Sequence, residues 1–356
     1  MSNDQFAVQE FSAWLTTLSK RVAQLEVHGD RPPETPPTAQ PDLNRLEADI
    51  HAAYRLILRR SPDADGVSYY VDRIASGAMA FEDLAQILLD SDEYIAQQAS
   101  RTTAVEMNGL QVMIDPSEPE FGHAIARDGI WEAHIVQQIE TRLKPGGVFV
   151  DIGANVGVMS FHAARAIGPK GRVIAFEPNP DNVQRFLQGV LANGLEQVSL
   201  HPFALSDRAG IFSIRGGSNT YLTRSQIGGR LVQSFTGDSI LKHEPRIDLI
   251  KLDIEGHEPL ALNGLQETLR RHRPLLLCEF NPRCLRDNLG QSPFEFATRL
   301  FGLATAVDIV EHDATLTPVA NASELMTLWD RRNASHVALG DLPEGMVHFD
   351  LMIRLR

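Results

Sequence analysis

The chain has 356 residues, more than one average domain, and carries 46 acidic against 33 basic residues for a net charge of −13. This acidity argues against a nucleic-acid partner, because affinity for DNA or RNA depends on clustered Lys and Arg side chains. Only two cysteines, a polar N-terminus and no apolar run of ~20 residues predict a cytoplasmic protein that does not insert directly into a membrane.

The first 41 residues divide into a helical pattern and a linker. Apolar residues follow one another in alternating steps of three and four, the spacing of a short coiled coil, at Val8, Phe11, Leu15, Leu18, Val22 and Leu25. We therefore expect residues 1–27 to form an amphipathic, coiled-coil-like helix that makes the protein a homo-oligomer. The alternative is a single helix lying on the protein's own surface. The Pro-rich stretch 28–41 is predicted to be a semi-rigid linker.

Residues 42–100 are predicted to form a small all-α domain. Apolar residues keep helical spacing from Leu43 to Ile57, and the turn signals in "RRSPDADG" and at Gly77 separate two further short helices. The pattern "LILRRSPDADGVSYYVDRIASG" resembles a small bacterial helical domain of unassigned function that is often attached to surface-related and glycan-related proteins. The resemblance implies no chemistry.

From about residue 101 to 356, short apolar runs alternate with helical patterns. This alternation is typical of an α/β fold in which helices cover a parallel sheet. The predicted strands are "GVFVDIG", "GRVIAFEP", "QVSLHPFA", "RIDLIKLDI", "RPLLLCEFN", "LATAVDIVE" and "VHFDLMIRL".

The stretch "DIGANVGVMS" directly follows the first of these strands and opens a helix. Gly153 and Gly157 are thereby placed at a strand-to-helix turn, where ligands bind in open parallel sheets. The spacing departs from G-x-G-x-x-G, whose middle glycine makes room for a pyrophosphate, so a ligand without a diphosphate fits better. Asp151 and Asn155 offer an acceptor for an ammonium and donors for a carboxylate. Glu177, at the end of the next strand, is placed to accept ribose hydroxyls.

These motifs, together with "VIAFEPNPDNVQRF", "PFALSDRAG", "DLIKLDIEGHEPLALNG" and "PLLLCEFNP", resemble those of the FkbM-type S-adenosylmethionine-dependent methyltransferases. The resemblance covers about residues 105 to 356. It implies a class I methyltransferase (Rossmann-like) fold with a seven-stranded, mostly parallel sheet, and methyl transfer to a hydroxyl of a sugar or natural product. It also implies a cofactor site for S-adenosyl-L-methionine: the "DIGANVG" residues for the methionine part, Glu177 for the ribose, and Pro178 with Ala204 for the adenine.

The stretch "KLDIEGHE" places charged residues at the end of a buried strand. If that strand stays extended through Glu255, then Lys251, Asp253 and Glu255 share one face. Methyl transfer requires a positioned acceptor and a group that removes the hydroxyl proton, so Asp253 and His257 are the predicted catalytic residues. The alternative is that His257 only packs the loop and that Asp253 binds the methyl donor.

Four further residues are predicted to bind the acceptor: Glu132, Glu255, Glu279 and Asn281. Asp253, Glu279 and Asn281 also supply the oxygen ligands that magnesium prefers, but a metal is not favoured, because the comparison with other methyltransferases is only an analogy. The Gly-rich stretch from Arg215 to Arg230 is predicted to be a lid or pocket wall, with a solvated hairpin as the alternative.

The sequence thus predicts an S-adenosyl-L-methionine-dependent O-methyltransferase acting on a sugar, glycan or glycosylated metabolite. Two alternatives stay open. One is an NAD(P)-dependent oxidoreductase on a similar sheet, and the other is an oligomeric scaffold or targeting protein with a weakly active methyltransferase fold.

Overall fold

The structure is a computed structural model that describes residues 43–58, 60–94, 102–118, 121–216, 220–223, 229–340, 345 and 347–356. The helix predicted at 1–27 and the linker predicted at 28–41 lie outside the described residues. The chain divides into two compact units, Met1–Ser100 and Arg101–Arg356. Within the described ranges, no helix combines the length and apolarity needed to cross a membrane.

The first unit contains three helices, α1 (Leu43–Ile57), α2 (Ala64–Ala75) and α3 (Phe81–Leu89). Their apolar faces meet in a small core in which Ile50 and Leu84 are fully buried. Asp63 caps α2, because its side chain accepts a hydrogen bond of 2.7 Å from the backbone N–H of Gly66.

The second unit is built on an eight-stranded mixed sheet with the order β13-β12-β14-β11-β10-β3-β4-β5. Its strands are β3 (Val148–Ile152), β4 (Arg172–Phe176), β5 (Val198–His201), β10 (Leu249–Leu252), β11 (Leu275–Phe280), β12 (Ala304–Val310), β13 (Leu316–Val319) and β14 (Phe349–Leu355). The α/β class I fold is confirmed, but the predicted count of seven strands is corrected to eight. The additional strand, β13, pairs antiparallel with β12 at the sheet edge.

Helices cover both faces of this sheet. They are α4 (Phe121–Asp128), α5 (Ala133–Arg142), α6 (Val158–Ile167), α7 (Pro180–Asn193), α8 (Gly237–Leu241), α9 (Glu258–Asn263), α10 (Gln266–His272), α11 (Pro282–Leu289), α12 (Pro293–Leu303) and α13 (Ala322–Leu339). All residues of β3 and β10 are buried as a result, which explains their almost unbroken apolar sequences.

The strand order reverses beside β3. The chain proceeds from β3 to its parallel neighbour β4 and later returns to β10 on the other side of β3. Helices that follow β3 and β10 therefore leave in opposite directions, and a crevice opens at the carboxyl ends of these strands.

Two smaller β structures were not predicted from the sequence. A hairpin of β1 (Thr103–Met107) and β2 (Leu110–Ile114) precedes the large sheet. A separate four-stranded sheet has the order β6-β9-β7-β8 and contains β6 (Ala204–Leu205), β7 (Gly210–Gly216), β8 (Thr220–Thr223) and β9 (Arg230–Phe235). The stretch predicted as a lid or pocket wall thus contributes part of β7 and all of β8, which pair antiparallel.

Gly157 lets the aromatic core approach the start of α6. Its φ is +100°, and a Cβ at this position would lie 2.5 Å from the ring of Phe161 and 2.9 Å from that of Phe186. These two rings pack edge to face with centroids 5.2 Å apart. Gly157 therefore serves the packing between α6 and α7, which carry these two rings.

We expect Gly157→Ala to lower the free energy of unfolding by about 2–5 kcal/mol, since it adds left-handed backbone strain to an overpacked core. Urea denaturation of the full chain measures this. The matched control is Gly194→Ala, which lies in the left-handed region with φ +62° and has no atom within 4 Å of the added Cβ, so only the backbone strain of about 1–2 kcal/mol applies. Equal losses in the two variants would contradict the packing role.

Candidate active site

A cavity of about 700 Å³ lies at the carboxyl ends of the strands. Its wall includes the residues that follow β3, β4, β10, β11 and β12, and also the start of the antiparallel strand β14. This is the edge at which ligands bind in open α/β sheets.

The cavity brings most of the predicted site residues together. The wall includes Glu132, Gly153, Asn155, Glu177, Pro178, Ala204, Asp253, Glu255, Glu279 and Asn281. Three predicted site residues, Asp151, Gly157 and His257, lie outside this wall.

The turn after β3 approaches the end of β10 very closely. Gly153 has φ +88°, and a Cβ there would overlap the carbonyl oxygen of Asp253. Asn155 adopts a left-handed φ of +49°, and its backbone N–H donates a 2.9 Å hydrogen bond to Glu177 Oε2. The turn, the end of β4 and the end of β10 are therefore held together around the cavity.

Glu177 is the carboxylate that organises this half of the cavity. Its Oε1 accepts a 2.8 Å hydrogen bond from the backbone N–H of Asn179, and the side chain is 4% exposed. Burial raises the pKa of Glu177 to about 7, and the two backbone N–H donors partly offset this rise. Because each carboxylate oxygen has a second acceptor position, Glu177 can also receive hydroxyls of a ligand.

Asp151 lies beneath the cavity. It is fully buried, and its Oδ2 accepts a 2.6 Å hydrogen bond from Ser160 Oγ at the start of α6. In the sheet it is paired in register with Lys251 on β10. Asp151 therefore fixes α6 to β3 and faces the Lys251 ammonium, and it does not reach a ligand's ammonium.

The strand that carries "KLDIEGHE" ends earlier than predicted. β10 stops at Leu252, and the chain turns through Glu255 with φ +55° and Gly256 with φ +94°. Glu258 folds this loop, since its Oε1 accepts hydrogen bonds from the N–H groups of Ile254 (2.8 Å) and Gly256 (3.2 Å). Glu255 consequently does not share a strand face with Lys251 and Asp253, although it does line the cavity.

His257 packs inside the protein. It is 3% exposed, its Nε2 lies 2.9 Å from Ser206 Oγ, and its ring packs edge to face on Phe212 with centroids 5.4 Å apart. It lines a smaller cavity of about 330 Å³ together with Phe212 and Leu260. The alternative interpretation, in which His257 packs the loop, fits this placement, and the prediction of a catalytic base does not.

Lys251 and Asp253 form an ion pair at the cavity, with Nζ 2.7 Å from Oδ2. Burial alone would raise the pKa of Asp253, but the Lys251 ammonium outweighs burial and lowers it. Burial likewise acts to lower the pKa of Lys251, and the carboxylates of Asp253, Asp151 and Glu132 raise it instead. Both groups therefore stay charged, and Asp253 is a ready acceptor of hydrogen bonds.

Glu132 enters the cavity from the start of α5. It adopts a left-handed φ of +43°, and its backbone carbonyl accepts hydrogen bonds from the N–H groups of Ile135 and Val136. Burial, followed by the charges of Asp350 and Asp253, raises the pKa of Glu132 to about 8. A carboxylate with such a pKa can take up a proton near neutral pH.

Several cavity residues were missed by the sequence analysis. They include Trp131, His134, Tyr221, Arg332, His348 and Asp350. Asp350 begins β14 and pairs in register with Glu279 on β11, so recognising the antiparallel strand would have identified it. Among the described residues, no three His, Cys, Asp or Glu side chains stand in an arrangement that could hold a metal ion.

Comparison with known families identifies two segments. Residues 151–296 match the model of the methyltransferase FkbM domain, and residues 47–98 match a domain of unknown function, DUF4214. Both resemblances stated for the sequence are thereby confirmed.

Two curated relatives are similar over part of the chain. The hexuronic acid methyltransferase AglP of Haloferax volcanii is 26% identical over 150 residues, which are 40% of this chain and 60% of the relative. The AMB antimetabolite synthetase AmbE of Pseudomonas aeruginosa is 29% identical over 154 residues, which are 38% of this chain and 7% of the relative. The chain thus spans about three fifths of the first relative and a small part of the second.

Two solved structures illustrate the structural neighbours. A methyltransferase FkbM from Methylobacillus flagellatus is 20% identical, with a TM-score of 0.31, over 64% of this chain and 47% of its own. The O-methyltransferase TomG from Streptomyces achromogenes, in complex with SAM, is 13% identical, with a TM-score of 0.38, over 63% of this chain and 79% of its own.

The loop around Glu258 gives a stability prediction. We expect Glu258→Ala to lower the free energy of unfolding by about 2–4 kcal/mol, because two N–H groups lose their acceptor. Glu258→Gln should retain most of the wild-type free energy of unfolding, since an amide oxygen can accept both hydrogen bonds. Guanidinium denaturation measures both, with the exposed Glu267→Ala as control.

The same residue affects the pH dependence of stability. Burial raises the pKa of Glu258 to about 8 in the folded protein, so its protonated form is favoured by folding. The stabilisation of the folded protein by protonated Glu258 is fully present below the ordinary carboxyl pKa. It is lost as the pH rises through about 8. Glu258→Gln should therefore lose less stability than the wild type between pH 5 and 9. If the free energy of unfolding of the wild type and of Glu258→Gln changed with pH in parallel, Glu258 would not be the cause of the pH dependence.

Proposed function

We propose that the protein is an S-adenosyl-L-methionine-dependent O-methyltransferase whose acceptor is a hydroxyl of a sugar, glycan or glycosylated metabolite, and the match of residues 151–296 to the methyltransferase FkbM domain supports this proposal. The observation that carries the proposal is the single cavity whose wall joins Gly153 and Glu177, after β3 and β4, with Asp253 and Glu279, at the ends of β10 and β11. Such a cavity can hold a nucleoside-bearing ligand and an acceptor side by side. The family match also displaces the oxidoreductase alternative.

The residues of the cavity fit the methyl donor. Gly153 lacks the Cβ that would fill the turn, and Glu177 presents carboxylate oxygens to hydroxyl groups. The wall is also rich in carboxylates, which suits a ligand that carries a sulfonium and an ammonium. We propose that Gly153, Asn155 and Glu177 bind the donor, with Pro178 and Ala204 beside its base. When bound, S-adenosyl-L-methionine supplies an electrophilic methyl group.

The reaction requires a group that takes the hydroxyl proton. We assign this role to Glu132, because its pKa of about 8 suits proton uptake and it lies in the cavity wall. Asp253, kept ionised by Lys251, is assigned to accept the hydroxyl hydrogen bond and orient the oxygen. With the donor bound, it would supply the methyl group to the acceptor oxygen, and the Glu132 carboxylate would take up the hydroxyl proton that this oxygen loses.

The choice of a sugar acceptor has two supports. One is the relative named as a hexuronic acid methyltransferase, and the other is the helical domain at residues 47–98, whose resemblance extends to glycan-related proteins. A cytoplasmic location and self-association through residues 1–27 remain part of the proposal. The second candidate function is an oligomeric scaffold or targeting protein with a weakly active methyltransferase fold. A low turnover number would favour this candidate over the methyltransferase.

The first test is calorimetric titration with S-adenosylhomocysteine, with NADH as the control ligand. We expect S-adenosylhomocysteine to bind and NADH not to bind. Glu177→Ala should weaken it about tenfold or more through loss of charge-assisted hydrogen bonds. Asp253→Asn should leave affinity within about twofold while turnover falls about a hundredfold, because orientation is lost. Binding of NADH, or the reverse pattern in the two variants, would refute the assignment.

The pH profile tests the base. The charged groups that act on Glu132 are Asp350, Asp253, Lys251 and Glu255, and the carboxylates among them raise its pKa. We expect kcat/KM to rise with pH and level off above about 8, because only ionised Glu132 accepts a proton. Glu132→Gln should remove this rise and lower the plateau about a hundredfold or more. If kcat/KM of Glu132→Gln still rose with pH as in the wild type, another group would be the base that takes the hydroxyl proton.

A further inference from the structure

Three carboxylates stand side by side across neighbouring strands at the acceptor end of the cavity. Leu252 on β10 pairs with Cys278 on β11, so Asp253 and Glu279 follow as neighbours at the ends of these strands. Glu279 in turn pairs in register with Asp350 on β14. Paired residues on adjacent strands point to the same face of a sheet, ~4.8 Å apart. Asp253, Glu279 and Asp350 form what we call the acidic row.

The outer members of the acidic row have basic partners. Asp253 Oδ2 lies 2.7 Å from Lys251 Nζ, and Asp350 Oδ2 lies 3.3 Å from His134 Nε2. The central member differs. Glu279 is 7% exposed, and its Oε2 is buried at the cavity with no hydrogen-bond donor among the described groups. Its neighbour is the Asp253 carboxylate, to which a protonated Glu279 donates a hydrogen bond. Glu279 Oε1 receives a long hydrogen bond of 3.3 Å from the amide of Asn281.

The two arginines of the wall are paired with other groups. Arg332 forms a two-pronged ion pair with Glu311, at 2.7 and 2.9 Å, and its guanidinium lies over the ring of Phe349. Arg283, whose side chain is 45% exposed, lies 3.4 Å from Asp287. A buried carboxylate flanked by two others is costly unless a positive group meets it. Burial and the charge of Asp253 accordingly raise the pKa of Glu279 well above its ordinary value.

We propose that Glu279, between Asp253 and Asp350, receives a positively charged amino group of the acceptor, and that the preferred acceptor is an amino sugar with an unmodified amine. This inference rests on the proposed methyltransferase function and narrows its acceptor class. An ammonium donates three hydrogen bonds and supplies the charge that the acidic row lacks. A uronic acid would instead bring its carboxylate against the row and be repelled.

The test compares four methyl glycosides of one ring size, a glucosaminide, its N-acetyl form, a glucoside and a glucuronide, in methyl transfer from labelled S-adenosyl-L-methionine with chelator present. We expect kcat/KM to be at least about tenfold higher for the free amine than for the neutral sugars, and lowest for the glucuronide. Glu279→Gln, which preserves shape, should bring the amine-to-neutral ratio close to one. Glu267→Gln makes the same charge change on an exposed helix and should leave the ratio unchanged.

Binding of S-adenosylhomocysteine separates the outcomes. If it does not bind, the proposed function fails. If it binds and the neutral or acidic sugar is preferred, only the amine inference fails. A tenfold loss of S-adenosylhomocysteine affinity in Glu279→Gln with unchanged sugar selectivity would assign Glu279 to the donor's own ammonium and overturn the inference. Tight magnesium binding that Glu279→Gln abolishes would overturn it as well.

A binding measurement covers the case in which none of the four sugars is methylated. Saturation-transfer NMR on the S-adenosylhomocysteine complex then compares glucosamine, glucose and glucuronate. Selective binding of glucosamine to the wild type and to Glu267→Gln, but not to Glu279→Gln, supports the inference. Equal binding of the three sugars, or binding of none, refutes it.

Discussion

The buried ammonium of Lys251 is the interaction on which the acidic end of the sheet depends. It lies at the end of β10, in register with Asp151 on β3 and 2.7 Å from Asp253. Each of these carboxylates would be costly to bury alone, and removal of the lysine would leave both without compensation. One cation thus compensates two carboxylates at the point where the strand order of the sheet reverses. Lys251 also acts on Glu132, but burial and the charges of Asp350 and Asp253 outweigh it, and the pKa of Glu132 rises to about 8.

Backbone strain is concentrated at the same edge. Three non-glycine residues of the cavity wall, Glu132, Asn155 and Glu255, adopt left-handed φ values of 43° to 55°. Such conformations persist only where the surrounding structure fixes them. Here each has a visible cause: Glu132 caps a helix with its carbonyl, Asn155 donates to Glu177, and Glu255 lies in the loop held by Glu258. Hydrogen bonds within the protein thus hold the backbone of the wall at or next to each of these three positions.

The sequence was sufficient to predict the α/β core and most of the cavity, because strand ends are recognisable from apolar runs followed by Gly, Asp or Glu. It was insufficient where side-chain contacts determine whether a residue faces the cavity or the interior of the protein. Asp151 and His257 are chemically suited to a site, but Ser160 and Ser206 hold them inside the protein. The premature end of β10 depends on Glu258 folding back, which no periodicity reveals. Asp350 becomes a neighbour of Glu279 only through antiparallel pairing across a long sequence separation.

The residues that line the cavity come from two parts of the chain. Gly153, Glu177 and Asp253 lie within the matched family domain, whereas Glu311, Arg332 and Asp350 lie after its last matched residue, 296. The long helix α13 fixes this later part through the Arg332–Glu311 pair and through Trp329, whose Nε1 donates a 2.7 Å hydrogen bond to Val347 O. The later positions can consequently diverge at a different rate from the matched domain during evolution. Substitutions at Glu311, Arg332 or Asp350 would change the charge of the cavity wall without changing Gly153 or Glu177.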